Sequence, residues 1–261
     1  MPLKPKKSLG QNFLHDKNII NKIINASNIN SNDEVLEIGP GTGNLTQYII
    51  SQNPKSIDVI EKDETLANIL ENKFLNKINV ISKDILTIPS EFYSGRKFLI
   101  LGNLPYNIST KILSNWCLNS NLAVSKMILM FQKEVAERII ANVNSKDFSR
   151  ITILTNWRFD ITKITDVKPN SFFPKPKINS TVLEFTPKKK IFEIKDPKNL
   201  EKITKIFFSQ RRKMIKKPIN ILFKNFKFDY KKFNIKPSDR PQNLNVDKYL
   251  KIVKEYETLR S

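Results

Sequence analysis

One short stretch of the chain combines residue types that could hold a nucleobase and act on it. The apolar run 98–101 is typical of a buried strand, and the segment 102–106, Gly-Asn-Leu-Pro-Tyr, follows it directly. The amide of Asn103 offers one acceptor and two donors, Pro105 stiffens the turn, and Tyr106 presents a flat ring on which a base can stack. The simpler alternative is a turn whose tyrosine belongs to the core.

A second stretch predicts the opening of a Rossmann-like unit. The predicted strand 33–38, Asp-Glu-Val-Leu-Glu-Ile, is followed by the turn 39–43, Gly-Pro-Gly-Thr-Gly, and then by a helix-periodic segment. Glu61 ends the next strand, 22 positions after Gly39, which is close to the spacing of an acidic residue that binds a ribose diol. Asp84 follows a third short strand. The pattern predicts a parallel α/β sheet, and we expect these residues to meet Asn103 at the carboxyl edge of its strands.

The glycine turn also limits the class of ligand that the site can bind. Pro40 removes a backbone N–H that a pyrophosphate would use, and no lysine follows the glycines, which excludes a P-loop. Glu37 would repel phosphate but attract an ammonium group. A ligand with an amino-acid cation, a ribose and an adenine fits better, and this is S-adenosylmethionine. We expect Glu61 to bind its ribose hydroxyls and Asp84 its adenine amino group, although each could be an ordinary surface charge.

Composition predicts a polyanionic partner. The 261 residues include 45 Lys and Arg against 25 Asp and Glu, a net charge of +20, for which nucleic acid is the expected partner. The alternative is a basic proteome or a solubility adaptation. Residues 187–261 hold 22 Lys and Arg against 8 Asp and Glu, a net charge of +14. We therefore predict a catalytic domain over 1–186, with an arm over 1–15, and a smaller all-helical docking domain over 187–261.

The rest of the composition excludes several classes of protein. A single cysteine, Cys117, excludes an internal disulfide, and a single histidine, His15, leaves no histidine metal cluster, so no metal is expected. No apolar stretch approaches the ~20 residues of a membrane span. The basic start lacks the apolar segment of a signal peptide. We expect a soluble, cytoplasmic monomer without a membrane partner.

A proline-bounded loop supplies a second aromatic candidate. Residues 171–177 read Ser-Phe-Phe-Pro-Lys-Pro-Lys, a stiff extended segment. One of its aromatics, Phe172 or Phe173, is expected to stack on a base opposite Tyr106, with Phe172 the preferred candidate. Core packing is the alternative.

Taken together, these motifs resemble one family over essentially the whole chain. The resemblance is to the ribosomal RNA small-subunit adenine dimethyltransferases of the KsgA/RsmA type. The matching segments are Gln11–Leu14, Glu37–Gly43, Asn103–Thr110, Gln132–Val135, Phe172–Ser180, Gln210–Lys213, Arg240–Pro241 and Asn243–Leu244.

This resemblance implies a class I methyltransferase sheet and a site for S-adenosylmethionine. We expect a set of residues to bind the cofactor, some implied by the resemblance and others proposed above or adjacent to those. They are Asn12, Leu14, Glu37, Gly39, Gly41, Glu61, Asp84, Ile85 and Asn103. It also implies that the substrate is 16S rRNA in the immature small ribosomal subunit, where two adjacent adenosines near the 3′ end become N6,N6-dimethyladenosine. The basic cluster Arg211, Arg212 and Lys213 is expected to bind rRNA phosphates.

The catalytic hypothesis assigns positioning roles to five residues. The Asn103 amide oxygen and the Leu104 backbone carbonyl would accept the two N6–H bonds of adenine, on the turn that Pro105 stiffens. Tyr106 and Phe172 would clamp the flipped-out base. The nitrogen becomes acidic only after attack, so no strong base is needed and catalysis is mostly positioning.

Three other functions remain open from the sequence. An Erm-type methyltransferase acting on large-subunit rRNA shares the sheet and the arm, but Leu104, the Gln-Arg-Arg-Lys cluster and the Arg-Pro turn favour the small-subunit type. A DNA adenine methyltransferase usually has proline at the position of Leu104. A non-catalytic assembly factor would not need an intact Asn103 and glycine loop.

Overall fold

The chain divides into two units, and the structure, a computed structural model, describes residues 5–224 and 226–260. The first unit comprises residues up to 116, 120–136 and 160–187, and the second comprises 117–119, 137–159 and the chain from 188 onward. The domain boundary predicted after residue 186 lies beside the last of these limits. No local pattern had indicated that 137–159 groups with the C-terminal segment.

A mostly parallel sheet forms the first unit. The strands are β1 (Phe13–Leu14), β2 (Glu34–Ile38), β3 (Ser56–Glu61), β4 (Asn79–Ser82), β5 (Lys97–Asn103), β6 (Ala123–Gln132), β7 (Phe159–Val167), β8 (Phe172–Phe173) and β9 (Ser180–Pro187). In the described residues seven of them form one sheet, in the order β4-β3-β2-β5-β6-β9-β7. Pairings from β4 through to β6 are parallel, and β9 runs antiparallel to β6.

The central strands are apolar runs because helices cover both faces of a parallel sheet. In β5 the residues 98–102 are all buried, and in β2 the residues 35–38 are buried. The strand order changes direction between β2 and β5, so the crevice at their carboxyl ends is where such sheets bind ligands. Asn103 is the last residue of β5, and the glycine turn follows β2.

Helices connect the strands and make up the second unit. They are α1 (Lys17–Ser27), α2 (Asn44–Ile50), α3 (Glu64–Phe74), α4 (Ser109–Leu118), α5 (Lys133–Ile139), α6 (Arg150–Arg158), α7 (Pro197–Phe208), α8 (Lys216–Leu222) and α9 (Val246–Thr258). Asp16 caps α1 by accepting from the backbone N–H groups of Asn18 and Ile19. The apolar segment 151–154 lies in α6.

The second unit has a core of its own. Phe207 of α7 and Tyr249 of α9 are fully buried, their rings meet edge to face with centroids 5.3 Å apart, and the Tyr249 hydroxyl donates to the carbonyl of Pro241 at 2.8 Å. Among the described residues, no helix combines the length and apolar character that crossing a bilayer requires.

Candidate active site

A pocket opens at the carboxyl ends of β2, β3 and β5. It brings together most of the residues that the sequence singled out, namely Asn12, Gly39, Gly41, Glu61, Asp84, Ile85, Asn103, Leu104, Pro105 and Tyr106. A smaller adjoining pocket adds Leu14 and Glu37. Phe172 and the basic cluster 211–213 do not line either pocket.

Asn103 is held in one orientation by the arm, the segment 5–14. Its Nδ2 donates to the backbone carbonyl of Asn12 at 2.7 Å, which assigns the amide nitrogen to that side. Its Oδ1 is buried and accepts no hydrogen bond from the described residues. A buried acceptor without a donor is rare and destabilising, so this oxygen is a candidate to bind a donor that arrives with a ligand.

The glycine turn is shaped by close contact with the arm. Gly41 has a φ of +57°, in the left-handed region, and a Cβ built there would lie 2.7 Å from the ring of Phe13. Gly39, with a φ of +65°, lies beside the backbone carbonyl oxygen of Asn103, 3.6 Å from where its own Cβ would be. The turn therefore needs glycine at position 41 both for its backbone angle and for space.

Two buried carboxyl groups lie at the base of the site. Glu61 accepts from the backbone N–H of Gly41 at 3.1 Å and from that of Asp63 at 2.9 Å, and burial raises its pKa. Burial raises the pKa of Glu37 to about 8, and the neighbouring Glu61 adds to the effect. Oε2 of Glu37 has no hydrogen-bond partner among the described residues. A cationic ligand bound beside these groups would favour their ionised form, whereas an anionic ligand would oppose it.

Asp84 is already paired on one side. Its Oδ2 lies 2.8 Å from Nζ of Lys62, and its Oδ1 accepts from the backbone N–H of Leu86 at 2.9 Å. The lysine hydrogen bond lowers the pKa of Asp84, so this carboxyl is ionised at neutral pH. A carboxylate has about four acceptor sites, which leaves capacity for a further donor.

Tyr106 is fixed at its far end. Its hydroxyl lies 2.6 Å from the hydroxyl of Ser180, a fully buried residue at the start of β9. Burial raises the pKa of Tyr106, so the phenol is neutral. The hydrogen bond restrains the ring in the pocket wall. Sequence analysis gave Ser180 no role, because 74 residues separate it from its partner.

The arm is fastened to the sheet by contacts that the sequence analysis missed. Asp63 accepts from Nζ of Lys6 at 2.7 Å and from Nε2 of Gln11 at 2.8 Å, and it also accepts from the backbone N–H of Thr65 at the start of α3. Burial alone would raise the pKa of Asp63, but these hydrogen bonds outweigh it and the pKa is lowered. Neither the helix cap at Asp63 nor its bonds to the arm were predicted from the sequence. Residues 1–4 of the predicted arm lie outside the described residues.

The structure does not support Phe172 as the stacking aromatic. Phe172 pairs with Leu14 across the β1–β8 ribbon and is 1% exposed, and both belong to the hydrophobic core. Its neighbour Phe173, on the opposite face of the ribbon, is 61% exposed. The sequence could not distinguish the two because they are adjacent on the same short strand, whose two faces have opposite surroundings.

The basic cluster lies in the second unit, in the turn after α7. Arg211 donates to the carbonyl of Lys146 at 2.6 Å, whereas Arg212 and Lys213 are exposed. Lys213 also lines an open groove along α8, here called the lysine groove. Its lining residues are Gln210, Lys213, Met214, Lys216, Lys217, Asn220, Ile221 and Lys224. The groove has no acidic residue in its lining, and in the described chain its four lysines form no ion pair.

The first site fits S-adenosylmethionine better than a phosphate ligand or a metal. It offers buried carboxyl groups, an unpartnered amide oxygen and a glycine turn without space for a Cβ. Across 5–224 and 226–260, no cluster of His, Cys, Asp and Glu is arranged to hold a metal ion.

Comparisons with known proteins agree with this chemistry. A family model described as ribosomal RNA adenine dimethylase matches residues 3–258. A Pelagibacter ubique protein named ribosomal RNA small subunit methyltransferase A is 55% identical over 262 residues, covering 100% of both chains. A protein of the same name from Wolbachia pipientis wMel is 37% identical, covering 98% of this chain and 91% of its own.

Solved structures give the same result. A dimethyladenosine transferase from Plasmodium falciparum aligns with a TM-score of 0.81 and 28% identity, over 94% of this chain and 98% of its own. The 23S rRNA methyltransferase ErmE aligns with a TM-score of 0.68 over 96% of this chain, but at 22% identity it supports the fold alone. The predicted α/β methyltransferase fold is confirmed, and the chain belongs to the ribosomal RNA adenine dimethylase family.

Proposed function

We propose that this protein transfers methyl groups from S-adenosylmethionine to N6 of two adjacent adenosines near the 3′ end of small-subunit rRNA, forming N6,N6-dimethyladenosine. The names of its full-length relatives and its family support the reaction and the substrate class. The proposal includes an immature small ribosomal subunit as partner and a monomeric, cytoplasmic enzyme. The +20 charge of the chain supports a polyanionic partner.

The unpartnered oxygen of Asn103 is the observation on which the proposal depends most. Adenine N6 carries two N–H donors, and Asn103 Oδ1 is a buried acceptor that lacks one. The bond from Nδ2 to Asn12 directs this oxygen and prevents the amide from rotating. An amine bound here would find its acceptor already oriented, which lowers the barrier by positioning.

The methyl donor would lie in the pocket between the arm and the glycine turn. Glu37, Gly39, Glu61, Asp84 and Asn12 are the residues proposed to hold it, with Leu14, Gly41, Ile85 and Asn103 completing the contacts. When bound, S-adenosylmethionine supplies an electrophilic methyl group on a positively charged sulfur. Glu37 would bind its ammonium group, whose charge would favour the ionised form of this buried carboxyl, and Glu61 would bind its ribose hydroxyls.

The chain's own residues would then orient the target amine. Asn103 Oδ1 accepts one N6–H and the Leu104 carbonyl accepts the other, which turns the nitrogen lone pair away from both acceptors. Tyr106, held by Ser180, stacks on the extruded base at about 1–3 kcal/mol. As the new C–N bond forms, the methyl–sulfur bond breaks and the sulfur keeps its electron pair. The N6 proton is lost to water only afterwards, so these residues need not act as a strong base.

The second unit is proposed to dock on rRNA. Arg212, Lys213 and the lysine groove present exposed positive charge without acidic neighbours in the lining. Such contacts neutralise phosphates and release counterions, so binding to RNA should weaken steeply with salt.

The test is methylation of small ribosomal subunits from a strain that lacks this activity. The purified protein and tritiated S-adenosylmethionine should yield N6,N6-dimethyladenosine near the 3′ end of the rRNA, identified by mass spectrometry. Asn103→Ala should lower turnover about 10²–10³-fold while binding of S-adenosylmethionine stays measurable.

Asn68→Ala, at an exposed position of α3 outside both pockets, is the matched control and should behave as wild type. Labelling of large subunits instead would favour the Erm-type alternative. Wild-type turnover by Asn103→Ala would refute the role of the amide.

A further inference from the structure

The β1–β8 ribbon presents one aromatic ring to solvent beside the pocket. Phe13 pairs with Phe173 and Leu14 with Phe172, so the two pairs project to opposite faces of the ribbon. Leu14 and Phe172 are buried, whereas Phe173 is 61% exposed. We propose that Phe173 is a stacking platform for an unpaired RNA nucleotide next to the target adenosine. This inference rests on the proposed function and adds a second recognition site to it.

The register places Phe173 next to the pocket wall. Directly opposed residues of an antiparallel pair share a face, with Cβ atoms roughly 4.5–5.5 Å apart. The partner, Phe13, packs its ring against Gly41 and lines the pocket. A nucleotide that follows the target base along this wall would lie beside the ring of Phe173.

The loop that carries Phe173 is anchored at both ends. At its start, Ser171 donates to Asp16 at 2.8 Å, and its carbonyl accepts from the backbone N–H of His15 at 3.0 Å. At its end, Ser180 is fully buried and bonded to Tyr106. Two prolines between these points limit the backbone further. The exposed ring thus projects from a restrained segment, which lowers the entropy lost when a base stacks on it.

The charge around the ring suits RNA. Lys175 and Lys177 are exposed on the same loop, and in the described part of the chain neither forms an ion pair. An exposed aromatic next to unpaired lysines matches the requirements of a single-stranded nucleotide, whose base stacks while its phosphates meet the cations. An apolar protein partner would gain nothing from the lysines.

The experiment compares Phe173→Ala, Phe173→Leu and Phe173→Tyr on unmodified small subunits. Stacking energies predict that Phe173→Ala raises KM for the subunit about 5- to 150-fold, with kcat and S-adenosylmethionine affinity unchanged. Phe173→Tyr should restore KM to within about twofold of wild type, and Phe173→Leu should not. Leu75→Ala removes a 68%-exposed apolar side chain at the end of α3 and is the matched control.

Two further measurements separate RNA stacking from other contacts. Affinity for a ten-nucleotide single-stranded RNA with two adjacent adenosines should fall in Phe173→Ala by a similar factor. The Lys175→Ala, Lys177→Ala double variant should reduce the slope of log affinity against log salt by about 1.4 for single-stranded RNA.

The inference is wrong if Phe173→Leu has the KM of wild type, or if KM changes less than twofold in Phe173→Ala. It is also wrong if Phe173→Ala raises KM for the subunit but does not weaken binding of the free RNA. The last result would indicate a contact with a ribosomal protein. Failure of the wild-type protein to methylate small subunits would instead refute the proposed function itself.

Discussion

The pocket at the sheet edge and the lysine groove on α8 differ in the burial and pairing of their polar groups. In the pocket the carboxyl group of Glu61 is buried and accepts from the backbone N–H groups of Gly41 and Asp63. In the groove the lysines are exposed and unpaired within the described residues. Burial shifts the pKa of a titratable group, so its charge depends on pH in an unusual range. Salt screens the interactions of exposed charges. From this difference we expect the pocket to select a small ligand by its shape and the groove to attract a polyanion by its charge.

The largest expected effect concerns the buried carboxyl of Glu37. Its pKa of about 8 exceeds the ordinary value of 4.5, so between these pH values the folded state binds a proton that the unfolded state has lost. The unfolding free energy of wild type should therefore fall as pH rises from about 5 to 8, relative to Glu37→Gln, by on the order of 4 kcal/mol. Urea unfolding of both proteins from pH 5 to 9 measures this. Parallel curves would show that Glu37 does not titrate as described.

RNA binding at the lysine groove should depend on salt concentration. Replacing its four lysines with alanine should weaken RNA binding about 10²-fold at 0.1 M salt and reduce the salt slope for duplex RNA by up to about 3.6. Affinity for S-adenosylmethionine should not change, because the groove lies in the second unit.

The control for the groove removes the same charge elsewhere in that unit. It replaces four exposed lysines outside the groove, Lys198, Lys205, Lys251 and Lys254. If this control loses as much affinity, total charge and not the groove determines RNA binding.

A smaller effect is expected at the glycine turn. Gly41→Ala adds a Cβ 2.7 Å from the Phe13 ring and strains the backbone by about 1–2 kcal/mol, so affinity for S-adenosylmethionine should fall about tenfold or more. Gly95→Ala has a similar φ of +74° but no atom within 4 Å of its Cβ, and it isolates the backbone strain. Calorimetric titration should show a loss of binding for position 41 only.

The smallest effect is expected where the arm meets Asp63. Lys6→Met removes an ion pair whose lysine is half exposed, which is worth at most about 1 kcal/mol. The dissociation rate of S-adenosylmethionine should rise by a few-fold, as measured by stopped-flow competition. Raising the salt concentration should reproduce the change in wild type, and an unchanged rate would mean that the arm is held by its other contacts alone.

Local pattern was sufficient for much of the first unit. The strand, glycine turn and helix over 33–50, the acidic residue that ends β3 and the strand that ends at Asn103 were all recognisable in sequence. These features depend on periodicity and turn chemistry over a few residues. The family assignment followed from the same motifs, and the comparisons confirm it.

Side-chain orientation depended on distant partners. The amide of Asn103 is oriented by the backbone of Asn12, 91 residues earlier, and Tyr106 is bonded to Ser180, 74 residues later. From the sequence, Phe172 was preferred to Phe173. The structure does not support this preference, because a sequence does not show which face of the ribbon is covered. In the same way, it contained no local pattern that joins 137–159 to the C-terminal segment.

The amino-acid sequence by itself therefore determined the strand, glycine turn and helix over 33–50, the residue types at the strand ends, the excess of positive charge and the family. Only the tertiary structure decided which of two adjacent phenylalanines is exposed, which oxygen of the site lacks a donor and which lysines share a groove. The physical reason is that secondary structure and charge are local properties of the chain. Burial and hydrogen-bond partners are set by residues that meet only after folding.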